Sequence, residues 1–140
     1  MGTINFVRMA IGTVPAGIVF FIGDAIVNGG VLKTQWSAIL SPISLTADEA
    51  FAHPGYFASY DFLKALLALW IYAAIRPRFG AGPSTALIAA LTVWLLVLPI
   101  PMIGILPMRF LPARFVTIWS LLALVPIIMG TLAGAWLYAE

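Results

Sequence analysis

The chain contains no cysteine. Disulfides, thiolate metal sites, haem attachment through cysteine and palmitoylation are therefore excluded. It has a single histidine, His53. One histidine without a partner is a poor metal site. Charge is scarce as well. Only 9% of the 140 residues are Asp, Glu, Lys or Arg, against roughly 25% in an ordinary soluble domain. With 63% hydrophobic residues and a mean hydropathy of +1.09, that shortage excludes both a soluble globular domain and a disordered chain. The sequence pI near 9.3 rests on seven Lys/Arg against five Asp/Glu. No basic stripe is available to neutralise phosphates, so nucleic acid is not a partner. The Walker loop, GxGxxG, HExxH and a Ser/His/Asp set are all missing, so neither an enzyme nor a cofactor is expected.

What is present is long uncharged sequence. Asp24 is the only charge between Arg8 and Lys33. No charge lies between Lys64 and Arg76, between Arg78 and Arg109, or between Arg114 and Glu140. These gaps predict an all-α, polytopic membrane four-helix bundle with spans at about 6–32, 56–75, 84–106 and 115–138. Each is long enough for a hydrocarbon core of about 30 Å at about 1.5 Å per residue. The alternation that a membrane barrel requires is absent. Residues 1–140 read as one integral membrane domain. The first span is not expected to be a cleaved signal, because its apolar stretch is long and carries Asp24 and Asn28 near its end.

The connections differ in character. The segment from Lys33 to Gly55 is the only long one. Trp36, Ile39, Leu40 and Ile43 give it an amphipathic spacing, which Pro42 interrupts. Thr46-Ala47-Asp48-Glu49 fits a capping box. Arg76-Pro77-Arg78-Phe79-Gly80-Ala81-Gly82-Pro83 reads as a tight turn in which proline and glycine end one helix and start the next. Positive charges are balanced across the membrane: Arg8, Arg76 and Arg78 on one side, Lys33, Arg109 and Arg114 on the other. The two arginines in one short loop favour cytoplasmic termini.

The informative residues are Asp24, Asn28, Asp61 and Lys64. An ionisable group inside a span costs about 2.5–3.5 kcal/mol on insertion scales, so it needs a reason. Counting along antiparallel neighbours puts Asp24 and Lys64 at similar depth, with Asp61 close by. Gly17, Phe21, Asp24 and Asn28 share one face of the first helix. Asp61, Lys64, Ala68 and Tyr72 share one face of the second. An Asp24–Lys64 or Asp61–Lys64 pair is expected between them. Two carboxylates and one ammonium leave a charge of −1. The cluster is read either as a structural pair pinning two helices, with Asp61 at the water interface, or as an ion or substrate site.

Other features carry weaker expectations. Pro99 and Pro101 in the third span predict either a discontinuous helix beside a polar cavity or an early helix end near Leu98. Gly130 and Gly134 form a GxxxG, with Ala86/Ala90 and Gly12/Ala16 similarly spaced. They are expected to pack helices within one chain or between two. Trp136 and Tyr138 fit an interfacial belt. Arg76 and Arg78 are candidates to hold lipid phosphates or a partner's acidic edge. His53 reads as a loop-end residue.

Two stretches carry a resemblance. One runs Trp70-Ile71-Tyr72-Ala73-Ala74-Ile75-Arg76-Pro77-Arg78-Phe79-Gly80-Ala81-Gly82-Pro83 and continues into Thr85-Ala86. The other is Gly134-Ala135-Trp136-Leu137-Tyr138-Ala139-Glu140. They resemble a group of small uncharacterised bacterial inner-membrane proteins of four helices. The resemblance implies a bacterial inner membrane and the four-helix fold. It implies no activity, and it transfers no functional residue. The leading expectation is a non-catalytic accessory or structural subunit, packed into a larger membrane complex or a homo-oligomer. Its partners would be the lipid bilayer and other membrane subunits or itself. The alternative is a small oligomeric transporter or channel using the Asp/Lys cluster. A pigment- or quinone-associated subunit would rest only on the aromatics and His53.

Overall fold

A computed structural model describes residues 4–139. Glu140, the last residue of the second resembling stretch, lies outside the described residues. The helices are α1 (Phe6–Ile26), α2 (Lys33–Leu40), α3 (Ala47–Ala50), α4 (Pro54–Phe79), α5 (Pro83–Val97), α6 (Pro99–Ile105) and α7 (Ala113–Ala139). Among the described residues there is no strand. Four helical stretches are long and apolar enough to cross a membrane: Phe6–Val31, Pro54–Phe79, Pro83–Met108 and Ala113–Tyr138. The chain is an all-α, multi-pass membrane bundle.

The four long helices form a square. α1 packs against α4 and α7, and α5 packs against the same two from the opposite corner. Small residues set the spacing. Ala16, Ala65, Ala68, Ala89 and Ala90 are completely buried at the contacts, and backbones approach closely where side chains are short. The glycine pattern is resolved as packing within one chain. A Cβ on Gly12 would lie 2.5 Å from the carbonyl oxygen of Gly134, and one on Gly130 would lie 2.5 Å from the Phe20 ring. Gly23 faces Pro126, leaving no room for a Cβ beside the pyrrolidine ring.

Three irregular segments sit at one end of the bundle. The end of α1 loosens into a π turn, Val27–Val31, closed by the Leu32 N–H donating to the Val27 carbonyl at 2.8 Å. Asn28 contributes to it, because its amide donates to the Asp24 carbonyl at 3.0 Å, which competes with the helix ladder. The third span bends at Leu98 (φ −132°, ψ −70°). Pro99 disfavours helical backbone at the residue before it, and neither Pro99 nor Pro101 has an N–H for the carbonyls of Leu95 and Val97. The helix restarts as α6, since Met102 N–H donates to the Leu98 carbonyl at 3.0 Å. The long connection folds over this end. α2 brings Trp36 and Ile39 against Phe115, Val116 and Trp119.

Several expectations need correction. α4 does not stop before Pro77 but runs through it to Phe79, and the turn itself is only Gly80–Gly82. Gly80 ends the helix at φ 84°, with its N–H on the Arg76 carbonyl at 2.8 Å. That left-handed conformation suits glycine because it has no Cβ. Tyr138 is not a belt residue. It is 4% exposed, its hydroxyl accepts from Asn5 N–H at 3.1 Å, and its ring packs edge-on against Tyr72. Trp136 is exposed, as a belt residue would be. Ile43 falls off the amphipathic face, because Ser41–Ile43 is a 3₁₀ turn and its side chain is exposed. The capping box forms as expected, with Thr46 and Glu49 bonding reciprocally.

Candidate functional site

The expected charge cluster is a three-membered one. Lys64 Nζ lies 2.7 Å from Asp24 Oδ2 and 2.7 Å from Asp61 Oδ1. The two expected pairings therefore coexist. Helical geometry explains half of this, since Asp61 and Lys64 stand three residues apart on α4 and share a face. The other half comes from the packing of α1 on α4, which sets Asp24 opposite them. Lys64 Nζ also lies 4.9 Å from the Tyr60 ring and 5.2 Å from the Phe20 ring, both within cation–π range.

The two carboxylates are not equivalent. The Asp61 side chain is 1% exposed and that of Asp24 is 20% exposed. This reverses the expectation that Asp61 would sit at the water interface. It points into the bundle because Ala65, Ala68 and Tyr72 on the same face are core residues. The ammonium donates a hydrogen bond to Asp24. Its approach to Asp61 Oδ1 at 2.7 Å is an ion pair of less favourable hydrogen-bond angle.

A cavity of about 640 Å³ opens beside this pair. Asp24, Asn28 and Asp61 supply its polar groups. Phe21, Trp36, Phe51, Phe57, Tyr60, Val97, Leu98, Met102 and Trp119 supply apolar wall. The irregular segments all contribute: the π turn through Asn28 and Gly29, the α5–α6 bend through Val97, Leu98 and Met102, and the long connection through Trp36 and Phe51. A Cβ on Gly29 would meet nothing within 4 Å.

Asn28 does not join the ion cluster. Its carbonyl oxygen accepts from Trp36 Nε1 at 3.0 Å, so it fixes an aromatic wall of the cavity. Trp36 also meets Phe51, Phe115 and Trp119 edge-on. Arg76 and Arg78 lie at the opposite end. Arg76 is half-buried with its guanidinium 5.5 Å from the Tyr138 ring, and Arg78 is exposed beside Phe79. Gly130 and Gly134 are buried between α7 and α1 and do not line the cavity. His53 precedes the first turn of α4 and stacks edge-on with Tyr56. Among the described residues, no three His, Cys, Asp or Glu side chains converge to hold a metal ion.

The aromatic walls were outside the sequence reading. Only Trp36 carried a signal, through its spacing with Ile39. Phe51, Tyr60, Met102 and Trp119 come from four separate segments and meet only when the bundle closes. No protein family, no curated protein and no solved structure matches the chain.

Proposed function

We propose that the chain is a non-catalytic carrier of the bacterial inner membrane, with both termini cytoplasmic, and that the Asp24–Lys64–Asp61 cluster is its solute site. One observation carries this reading: a buried cluster of two carboxylates and one ammonium, of formal charge −1, on the wall of a cavity that would hold a ligand. A cluster serving only to pin two helices gains nothing from an unbalanced charge and an adjoining void. A binding site gains from both, since ligand pockets combine apolar walls with a few convergent polar groups. Ionisable residues of this kind mark solute and proton pathways. The bend at Leu98 and the π turn supply irregular backbone on the cavity wall, where such backbone is tolerated in membrane proteins.

A carrier must open its site to the far side. Ala68 is completely buried and lies one helical turn beyond Lys64, towards the Gly80–Gly82 turn. The cysteine-free sequence allows a direct test with single cysteines. Gly29→Cys should react with a membrane-impermeant thiol reagent from the long-connection side. Ala68→Cys should react from the other side, more slowly. Labelling of Gly29→Cys alone would contradict alternating access.

The second reading is an accessory subunit. It is favoured by Lys64 bridging α1 and α4, which is what a structural clamp does. Native mass spectrometry of the protein extracted gently from its own membrane separates the two. Unrelated subunits in fixed ratio support the accessory role. This chain alone or as a homo-oligomer, carrying only lipid, supports the carrier.

A further inference from the structure

The cavity has a charge to balance. Two carboxylates face one ammonium, and an unbalanced charge at low dielectric is expensive. A metal ion is a poor candidate to balance it, because the ammonium of Lys64 already occupies the position between the carboxylates and no third metal-ligating side chain converges there. The remaining candidates are a proton or a molecular cation.

From the charge, the two carboxylates on the lining and the cavity itself we infer that the site binds one amphipathic organic monocation carrying N–H groups, a guanidinium or a primary ammonium on an aromatic body, in exchange for one proton. The inference rests on reading the cluster as a solute site. The N–H groups are called for by the carboxylates of Asp24 and Asp61 on the cavity wall, of which Asp24 is the more exposed. Charge-assisted hydrogen bonds to carboxylate are the strong ones. The aromatic body is called for by the walls, which Trp36, Tyr60 and Trp119 line. A volume of about 640 Å³ lies within the range of roughly 300–1,000 Å³ for pockets that hold small molecules.

The exchange balances. In the empty site one proton held by the two carboxylates makes the cluster neutral with Lys64. On binding, one carboxyl O–H breaks and its proton leaves to solvent past Asp24, the more exposed of the two. The cation then restores neutrality. The titratable groups facing the cavity are Asp24 from α1 and Tyr56, Tyr60 and Asp61 from α4, with Lys64 bound behind them. The described lining residues from α2, α5, α6 and α7 add none.

The test uses the full chain in nanodiscs and three probes of one shape. Naphthylmethylguanidinium carries charge and N–H groups. Naphthylmethylurea keeps the N–H groups without the charge. Naphthylmethyl-trimethylammonium keeps the charge without the N–H groups. The guanidinium should bind, the urea at least tenfold more weakly, and the trimethylammonium in between. Calorimetry in buffers of different ionisation heat should report about one proton released per guanidinium bound. Asp61→Asn should weaken guanidinium binding at least tenfold. If that variant does not fold, Gly29→Phe fills the cavity without touching the charges and should abolish binding. Urea binding as tight as the guanidinium, or no effect of either variant, would overturn the inference. Binding without transport would overturn the carrier reading and leave this inference standing. Alternating access at Ala68→Cys with no guanidinium binding would do the reverse.

Discussion

Lys64 of α4 reaches across the helix interface and donates a 2.7 Å hydrogen bond to Asp24 of α1. Forty residues of sequence separate the two, and the bond fixes the register of the first two spans. Asp61, one turn back on α4, lies 2.7 Å from the same ammonium. Lys64 thus bridges two carboxylates, one on its own helix and one on α1.

Removing the ammonium should therefore be far worse than removing one acid. Lys64→Met leaves two carboxylates facing each other in the bundle, and breaking a buried pair costs about 3–5 kcal/mol. Asp24→Asn leaves a neutral Lys64–Asp61 pair and should cost much less. The double variant Asp24→Asn/Lys64→Met should recover a large part of the Lys64→Met loss. Unfolding in detergent, followed by circular dichroism, measures all three. Equal losses in the two single variants would show that the pair is not coupled as described.

The α1–α7 contact should be equally asymmetric. Gly134→Val places a side chain where a Cβ already lies 2.5 Å from the Gly12 carbonyl and 2.8 Å from Leu69. Overpacking of this kind costs typically about 1–3 kcal/mol, and backbone contact on one side puts this site at the upper end. Gly104→Ala, in α6, meets nothing within 4 Å and should stabilise by up to about 1 kcal/mol through helix propensity. Thermal midpoints of the two variants should move in opposite directions. A drop in both would place α6 against something the fold does not show.

The capping box should be pH-sensitive. Glu49 accepts from the Thr46 hydroxyl at 2.6 Å and from its N–H at 2.9 Å. These bonds hold its carboxyl below the ordinary value of 4.5. A lowered carboxyl contributes stability that is complete above the ordinary value and is lost as pH falls through the lowered one. The protection of the Thr46 amide against hydrogen exchange, relative to an unstructured amide at the same pH, should fall over that acid window, and Glu49→Gln should remove the dependence. Unchanged protection in the native chain across the same window would show that the box does not hold α3.

Much of this architecture was legible from charge spacing. Uncharged stretches have one stable form in a bilayer, so the four spans could be placed from Arg8, Asp24, Lys64, Arg78, Arg109 and Arg114 alone. The Asp24–Lys64 meeting followed from counting depth in antiparallel helices. The failures have local causes. Pro77 reads as a helix stop, yet its neighbours Arg76 and Arg78 continue α4 until Gly80 takes a positive φ. Asn28 reads as part of the charge face, yet the π turn rotates it towards Trp36. Tyr138 reads as interfacial, yet Asn5 and Tyr72 enclose it. Of the cavity walls only Trp36 and the bend before Pro99 were legible, because Phe51, Tyr60 and Trp119 come from distant segments with no shared period.

The measurement that bears most directly on the account is cation uptake into vesicles holding the reconstituted chain, with an acidic interior and naphthylmethylguanidinium outside. The account expects accumulation that scales with the pH gradient, as protons leave in exchange, and loss of it in both Asp24→Asn and Asp61→Asn. Uptake by the native chain no faster than in protein-free vesicles would contradict the account.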